Sequence, residues 1–253
     1  MQRGSLIKGG EINHHFSNPE SLIDIGSGIP RPVEIVIASV GLLASAPLIA
    51  LSALAITATS RGGVFFRQKR VGKGGRIFTL FKLRTMKASQ VGPQVTKKSD
   101  TRVTGVGKVL RKTKLDELPE LWNVLKGDIA LVGPRPEVPR YVDVQNPLWQ
   151  CVLRVRPGLT DPITLRLRNE EVLLGEVEGD VESFYLEKLL PYKLKGYVSY
   201  LQGRNWRRDV QVLCATAAAV LFPGKTPPPT VSEIVGASDA GAGQANLQSS
   251  IKG

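Results

Sequence analysis

The longest apolar run is Ile35 to Thr59, IVIASVGLLASAPLIALSALAITAT, 25 residues without a charge. As a helix it extends roughly 37 Å, beyond the ~30 Å hydrocarbon core of a bilayer, so the pattern predicts a membrane-associated helix. The run lacks a basic leader and a small-residue cleavage pattern, and it is expected to be retained. Pro47 falls at its midpoint, where it removes a backbone hydrogen bond and clashes with the preceding turn, which predicts a break. An ordinary single-pass anchor is the alternative. Arg31 precedes the run and Arg61, Arg67, Lys69 and Arg70 follow it. Positive charge therefore sets no direction of crossing, and both ends on one side is the simplest arrangement.

Beyond this run, Val64 to Gln68 and Ile77 to Leu83 read as two strands around a Gly-rich turn. Leu115, Leu118, Leu121, Trp122 and Leu125 recur at helical spacing, and Pro119 suits only a first turn, so a helix is expected to begin close to Asp116. Val181 to Gly203 predicts one or two amphipathic helices interrupted at Pro191, and Arg207 to Phe222 another. The apolar stretch Val210 to Phe222 is too short to span a bilayer. Most of residues 1–28 and the Pro/Gly/Ser/Ala-rich chain from Pro223 onward are expected to be disordered. The class is α+β, mainly helical, with a small β-hairpin and amphipathic interfacial helices.

Charge changes this picture. The chain carries 34 Lys and Arg against 22 Asp and Glu, a net +12, but residues 61–114 alone hold sixteen bases and one acid, Asp100. Attraction for anions is concentrated directly before Asp116, and phosphates are the expected partners. Cys151 and Cys214 have neither zinc-site nor disulfide-framework spacing, and His14 and His15 have no ligand-spaced partner. A Walker phosphate loop is excluded, because Gly107-Lys108 is followed by Val109 and lacks the earlier glycine.

The stretch RKTKLDELPELWNVLKGDIALVGPRPEVPR carries the candidate chemistry. Asp116 and Glu117 are expected at a helix N-terminus, where amides and the helix dipole favour a carboxylate; plain helix capping is the competing explanation. Gly133-Pro134-Arg135-Pro136 is a rigid turn suited to presenting a guanidinium to a diphosphate. An aspartate can attack phosphorus and split one transfer into two, provided Mg²⁺ with Arg111, Lys112 and Arg135 neutralises the substrate's charge.

At these residues the sequence resembles the bacterial sugar transferase family, the monotopic phosphoglycosyl transferases acting on polyprenyl phosphate. The match runs from about Arg31 to Thr160 and includes Arg31 with Glu34, Pro47, FFRQKRVGKGGRIFTLFKLRTM, Arg111, LDELPEL and KGDIALVGPRP. The resemblance implies a re-entrant membrane helix at 31–60 and a catalytic domain at 61–222, between the flexible arm at 1–30 and the disordered tail at 223–253 that composition predicts. It places that domain on the cytoplasmic face of the bacterial inner membrane, among membrane lipid. It also implies transfer of a sugar-1-phosphate from a UDP-sugar to polyprenyl phosphate, releasing UMP. Asp116 corresponds to the nucleophile and Mg²⁺ contact, Glu117 to its acidic partner, Arg111 to a phosphate-binding residue and Arg135 to a contact at the nucleotide end.

The chain departs from the family pattern in places. Ala46-Pro47 stands where Ser-Pro is usual, Glu34 where Asp is usual, and Lys114 replaces a small polar residue. After Thr160, many members read GLAQVNGR but this chain reads DPITLRLRNEEVLLGEVEGD, as a subgroup does. Asp161, Arg166, Arg168, Asn169 and Glu170 are candidates for donor specificity, an ordinary charged surface helix being the alternative. A membrane-tethered basic protein gripping lipid or nucleic acid is the rival from another class, but no nucleic-acid recognition pattern is present. A homodimer is compatible with the sequence, which sets no oligomeric state.

Overall fold

In the computed structural model, residues 24–87, 100–222 and 229–236 are described. Residues 1–23 and most of the expected tail lie outside that set.

The apolar run forms α1, Arg31–Thr59, a 29-residue helix about 43 Å long that stays helical through Pro47. Proline at the second position suits its start. Glu34, Ala38, Ser45, Ser52 and Ile56 form a buried stripe spaced by four and seven residues, one face of a helix. Most of the remaining surface is exposed and apolar, Leu43 reaching 76%. The helix lies along the rest of the molecule. Near its start, Glu34 Oε1 accepts from Leu131 N–H at 3.0 Å, and Arg31 donates to the carbonyls of Val124 and Leu125. Near its end, Ile56 packs with Leu83 and Leu110, while Arg84 donates to the carbonyls of Ser60, Arg61 and Gly62.

The expected hairpin is present. Strands β1, Phe65–Val71, and β2, Ile77–Leu83, pair antiparallel, with Phe65 opposite Leu83 and Val71 opposite Ile77. The first strand runs three residues past its expected end, because Lys69, Arg70 and Val71 continue the ladder despite their charge. Helix α2, Gly105–Thr113, is N-capped by Thr104, whose hydroxyl accepts from Gly107 N–H. Helix α3, Glu120–Lys126, is sewn to β2 by the fully buried Asn123, whose amide accepts from Phe81 N–H and donates to the Thr79 carbonyl.

A second ladder was not foreseen. Strands β3, Ala130–Val132, and β4, Gly158–Thr160, pair parallel. Each is only three residues long, and Gly133 and Gly158 allow their close approach, since a Cβ on Gly158 would fall 2.1 Å from Gly133 N. Short helices follow: α4, Pro147–Val152; α5, Pro162–Arg166; α6, Glu170–Leu173; and α7, Val181–Phe184. A π-helical turn, Tyr185–Leu189, leads into α8, Leu190–Gln202. The helical run is unbroken over 181–202, so the interruption expected at Pro191 is absent; Pro191 directly follows the π-helical turn, whose altered bonding accommodates its missing N–H. The last long helix, α9, is Trp206–Leu221.

The expectation of disorder in the tail is corrected for residues 231–236, and the chain just past the N-terminal stretch expected to be disordered is tied down at Ile29. Ile29 is buried and donates its N–H to Asp209 Oδ2. Residues 231–236 are helical, with Ile234 fully buried in the main core. In both segments one or two branched apolar residues find a pocket that composition does not announce.

Candidate active site

Helix α2 ends at Lys114, which adopts a left-handed conformation (φ 59°) and donates its N–H to the carbonyls of Leu110 and Arg111. Lysine pays steric strain there that glycine would avoid. The reversal launches a single 3-10 turn, Leu115–Glu117. Asp116 therefore lies before α3 in a separate turn, because Pro119 stands between them. The expected helix-dipole stabilisation is replaced by side-chain cations.

Asp116 is buried, and its Oδ1 has no hydrogen-bond partner among the described residues. Burial, reinforced by the adjacent Glu117, pushes its carboxyl up to about 6, against the opposing pull of Lys82, Lys114 and Arg111. Glu117 has the opposite environment. Burial would raise it, but Arg135, Lys82 and Lys114 hold it well below the usual carboxylate range. Arg135 Nη2 lies 2.5 Å from Glu117 Oε1, and Lys82 Nζ lies 2.9 Å from the same oxygen. Lys82 also reaches the buried Glu120 Oε1 at 3.1 Å. The charge of Glu117 holds Arg135 protonated, and Arg135 Nη1 is buried without a partner among the described residues.

Arg111 sits on the last turn of α2, its Nε donating to Thr85 Oγ1 at 2.9 Å and its Nη1 to Glu171 Oε2 at 3.1 Å. Asp116, Glu117, Arg111 and Arg135 are thus brought together. Lys112 is exposed on the outer face of α2 and does not join them. Of the specificity candidates, Asp161 is fully buried, caps α5 through the N–H groups of Ile163 and Thr164, and feels the charge of Arg135. Glu170 pairs with the buried Lys193 at 3.0 Å. Arg168 donates to the Ala219 carbonyl, Arg166 faces Glu233 across 3.6 Å, and Asn169 is exposed. The contacts of Arg168 and Arg166 are thus with α9 and residues 231–236.

Sequence reasoning missed Lys82, Glu120, Thr85 and Glu171. Lys82 reads as one base among sixteen, and only the antiparallel register aims it at two glutamates. Glu120 was hidden in LPEL as a helix-surface residue.

Among the described residues no group of three or more His, Cys, Asp or Glu side chains could hold a metal. The unpartnered Asp116 Oδ1 nevertheless fits the way Mg²⁺ is usually bound, by one or two carboxylates with substrate phosphates completing its shell.

The geometry defines a class: a membrane-associated α+β protein with a buried carboxylate set among cations that suit phosphate. Residues 26–223 match the family model described as bacterial sugar transferase. The chain belongs to that family. It is 36% identical over 196 residues to the UDP-glucose:undecaprenyl-phosphate glucose-1-phosphate transferase of Caulobacter vibrioides, covering 76% of this chain and 69% of that protein. It is 41% identical over 163 residues to the UDP-N-acetylgalactosamine-undecaprenyl-phosphate N-acetylgalactosaminephosphotransferase of Aeromonas hydrophila, covering 59% of this chain and 37% of the relative. A Rhizobium meliloti exopolysaccharide production protein, ExoY, is 36% identical over 175 residues, or 62% of this chain and 77% of the relative.

Proposed function

We propose that this protein is a phosphoglycosyl transferase that moves a sugar-1-phosphate from a UDP-sugar to polyprenyl phosphate, with Asp116 as nucleophile. The observation that carries the reading is the unequal pair at 116 and 117. Glu117 Oε1 is held by both Arg135 and Lys82, whereas Asp116 Oδ1 is buried without a partner among the described residues.

Asp116 attacks the sugar-bearing phosphorus, and the bond from that phosphorus to the bridging oxygen breaks. UMP leaves with the electron pair, and the phosphosugar remains on the aspartate as an acyl phosphate. An oxygen of polyprenyl phosphate then attacks the same phosphorus, the Asp116–phosphorus bond breaks, and the carboxylate is regenerated. Arg111 and Arg135 bind and orient the diphosphate. Glu117, itself paired with Lys82, fixes Arg135, whose Nη1, without a partner among the described residues, is available to an anionic oxygen. When bound, Mg²⁺ held by Asp116 and the diphosphate supplies charge neutralisation.

The membrane arrangement supports an acceptor that is a lipid. Because both ends of the unbroken α1 pack on the same folded body while its outer face is apolar, we read the helix as having both ends on one membrane face, with the site on the cytoplasmic side of the inner membrane.

The test is UMP release by detergent-solubilised protein given Mg²⁺, polyprenyl phosphate and a panel of UDP-sugars that includes glucose and N-acetylgalactosamine. Release with at least one donor is expected; none with any donor contradicts the reading.

A further inference from the structure

Two adjacent acids on α6 reach in different directions. Successive helical side chains diverge by about 100°. Glu171 Oε2 accepts from Arg111 Nη1 at 3.1 Å. Glu170 Oε2 accepts from Lys193 Nζ at 3.0 Å, and Lys193 donates in turn to Tyr185 Oη at 3.2 Å. Tyr185 donates to Glu137 Oε2 at 2.5 Å. Glu137 lies two residues beyond Arg135, and its loop is held further by Arg70, which donates to the Pro136 carbonyl at 2.9 Å. The π-helical turn begins at Tyr185, and such turns recur at functional positions. Lys193 and Tyr185 are buried, so the middle of this chain of contacts is shielded from solvent, whereas Glu170 and Glu171 are partly exposed.

We infer that Glu170 and Glu171 are positioning residues that brace, from one short helix, the two arginine supports of the diphosphate site. Glu171 holds Arg111 directly. Glu170 holds the turn carrying Arg135 through Lys193, Tyr185 and Glu137. The inference rests on the transferase reading and deepens it, because it gives the divergent block after Thr160 a task in the reaction. Without Glu171, Arg111 keeps, among the described residues, its Thr85 hydrogen bond alone and must be ordered by the incoming diphosphate.

The experiment measures UMP-release kinetics for Glu171→Ala, Glu171→Gln, Tyr185→Phe and the Glu171→Ala/Tyr185→Phe double variant, with unfolding temperatures as a folding control. Ordering a long side chain on binding corresponds to a rise in KM for the UDP-sugar of about 3- to 10-fold in Glu171→Ala, with kcat nearly unchanged. Gln retains an acceptor for Arg111, so Glu171→Gln should restore most of that loss. Tyr185→Phe should raise KM in the same direction, and the two effects should multiply because they act on separate arginines. An unchanged or lowered KM in Glu171→Ala, or equal impairment in Glu171→Gln, overturns the inference. Absence of UMP release from the wild-type protein with every donor instead defeats the transferase reading beneath it.

Discussion

Arg135 Nη2 lies 2.5 Å from Glu117 Oε1, and this contact separates the roles of two adjacent acids. With Lys82 on the same oxygen, Glu117 is committed to holding the guanidinium. Asp116, one residue earlier, faces no such partner with its Oδ1. Adjacency alone does not distinguish them; their partners do.

The raised Asp116 carboxyl predicts a trade between activity and stability. Its folded-state value of about 6 exceeds the ordinary aspartate value of 3.8, so keeping it ionised costs stability above pH 6, and this cost disappears as pH falls towards 3.8. Asp116→Asn should therefore be inactive yet more stable at pH 7.5 by about 1–3 kcal/mol. Thermal melts check this, with the advantage over wild type shrinking between pH 7.5 and pH 5.

Activity should follow the same ionisation. A carboxylate is needed for attack, so kcat/KM should fall as pH drops through about 6. Lys114 helps to hold Asp116 ionised, and Lys114→Gly should move that fall to higher pH. The same change relieves about 1 kcal/mol of left-handed strain but removes a cation beside Asp116 and Glu117, so its net effect on stability should be more favourable at pH 5 than at pH 7.5. A pH–rate profile and a denaturant melt of one variant read both effects.

Lys82 neutralises two buried acids. Lys82→Met leaves Glu117 with Arg135 alone and Glu120 without its cation, which should cost roughly 3–5 kcal/mol. Adding Glu120→Gln should recover part of that loss in a double-mutant cycle followed by chemical denaturation.

The docked segment at 231–236 should matter to the fold. Ile234 is fully buried, so Ile234→Ala is expected to cost about 2–5 kcal/mol. Chemical denaturation with intact UMP release in the folded fraction would separate this from a catalytic role.

Much of the fold was legible where period and composition agree. The α1 run, the hairpin at Ile77–Leu83 and the helices bounded near Gly203 and Phe222 follow from apolar spacing and breakers. The β3–β4 ladder was not legible, because three-residue strands carry no period and their pairing depends on two glycines 25 residues apart. The site was half legible. Asp116, Glu117, Arg111 and Arg135 lie in a contiguous, chemically suggestive stretch, and the structure gathers them. Lys82 and Glu171 reach the site from 35 residues before Glu117 and 60 residues after Arg111, through tertiary contacts that no local pattern encodes. Lys112 shows the converse: it neighbours Arg111 in sequence but projects from the exposed side of α2.

The most direct test of Asp116 as nucleophile is intact and peptide mass measurement after incubation with an active UDP-sugar and Mg²⁺, without polyprenyl phosphate. A phosphosugar adduct on Asp116 that disappears when polyprenyl phosphate is added is the expected result. Undiminished UMP release by Asp116→Asn, with no adduct on the wild-type residue, would contradict it.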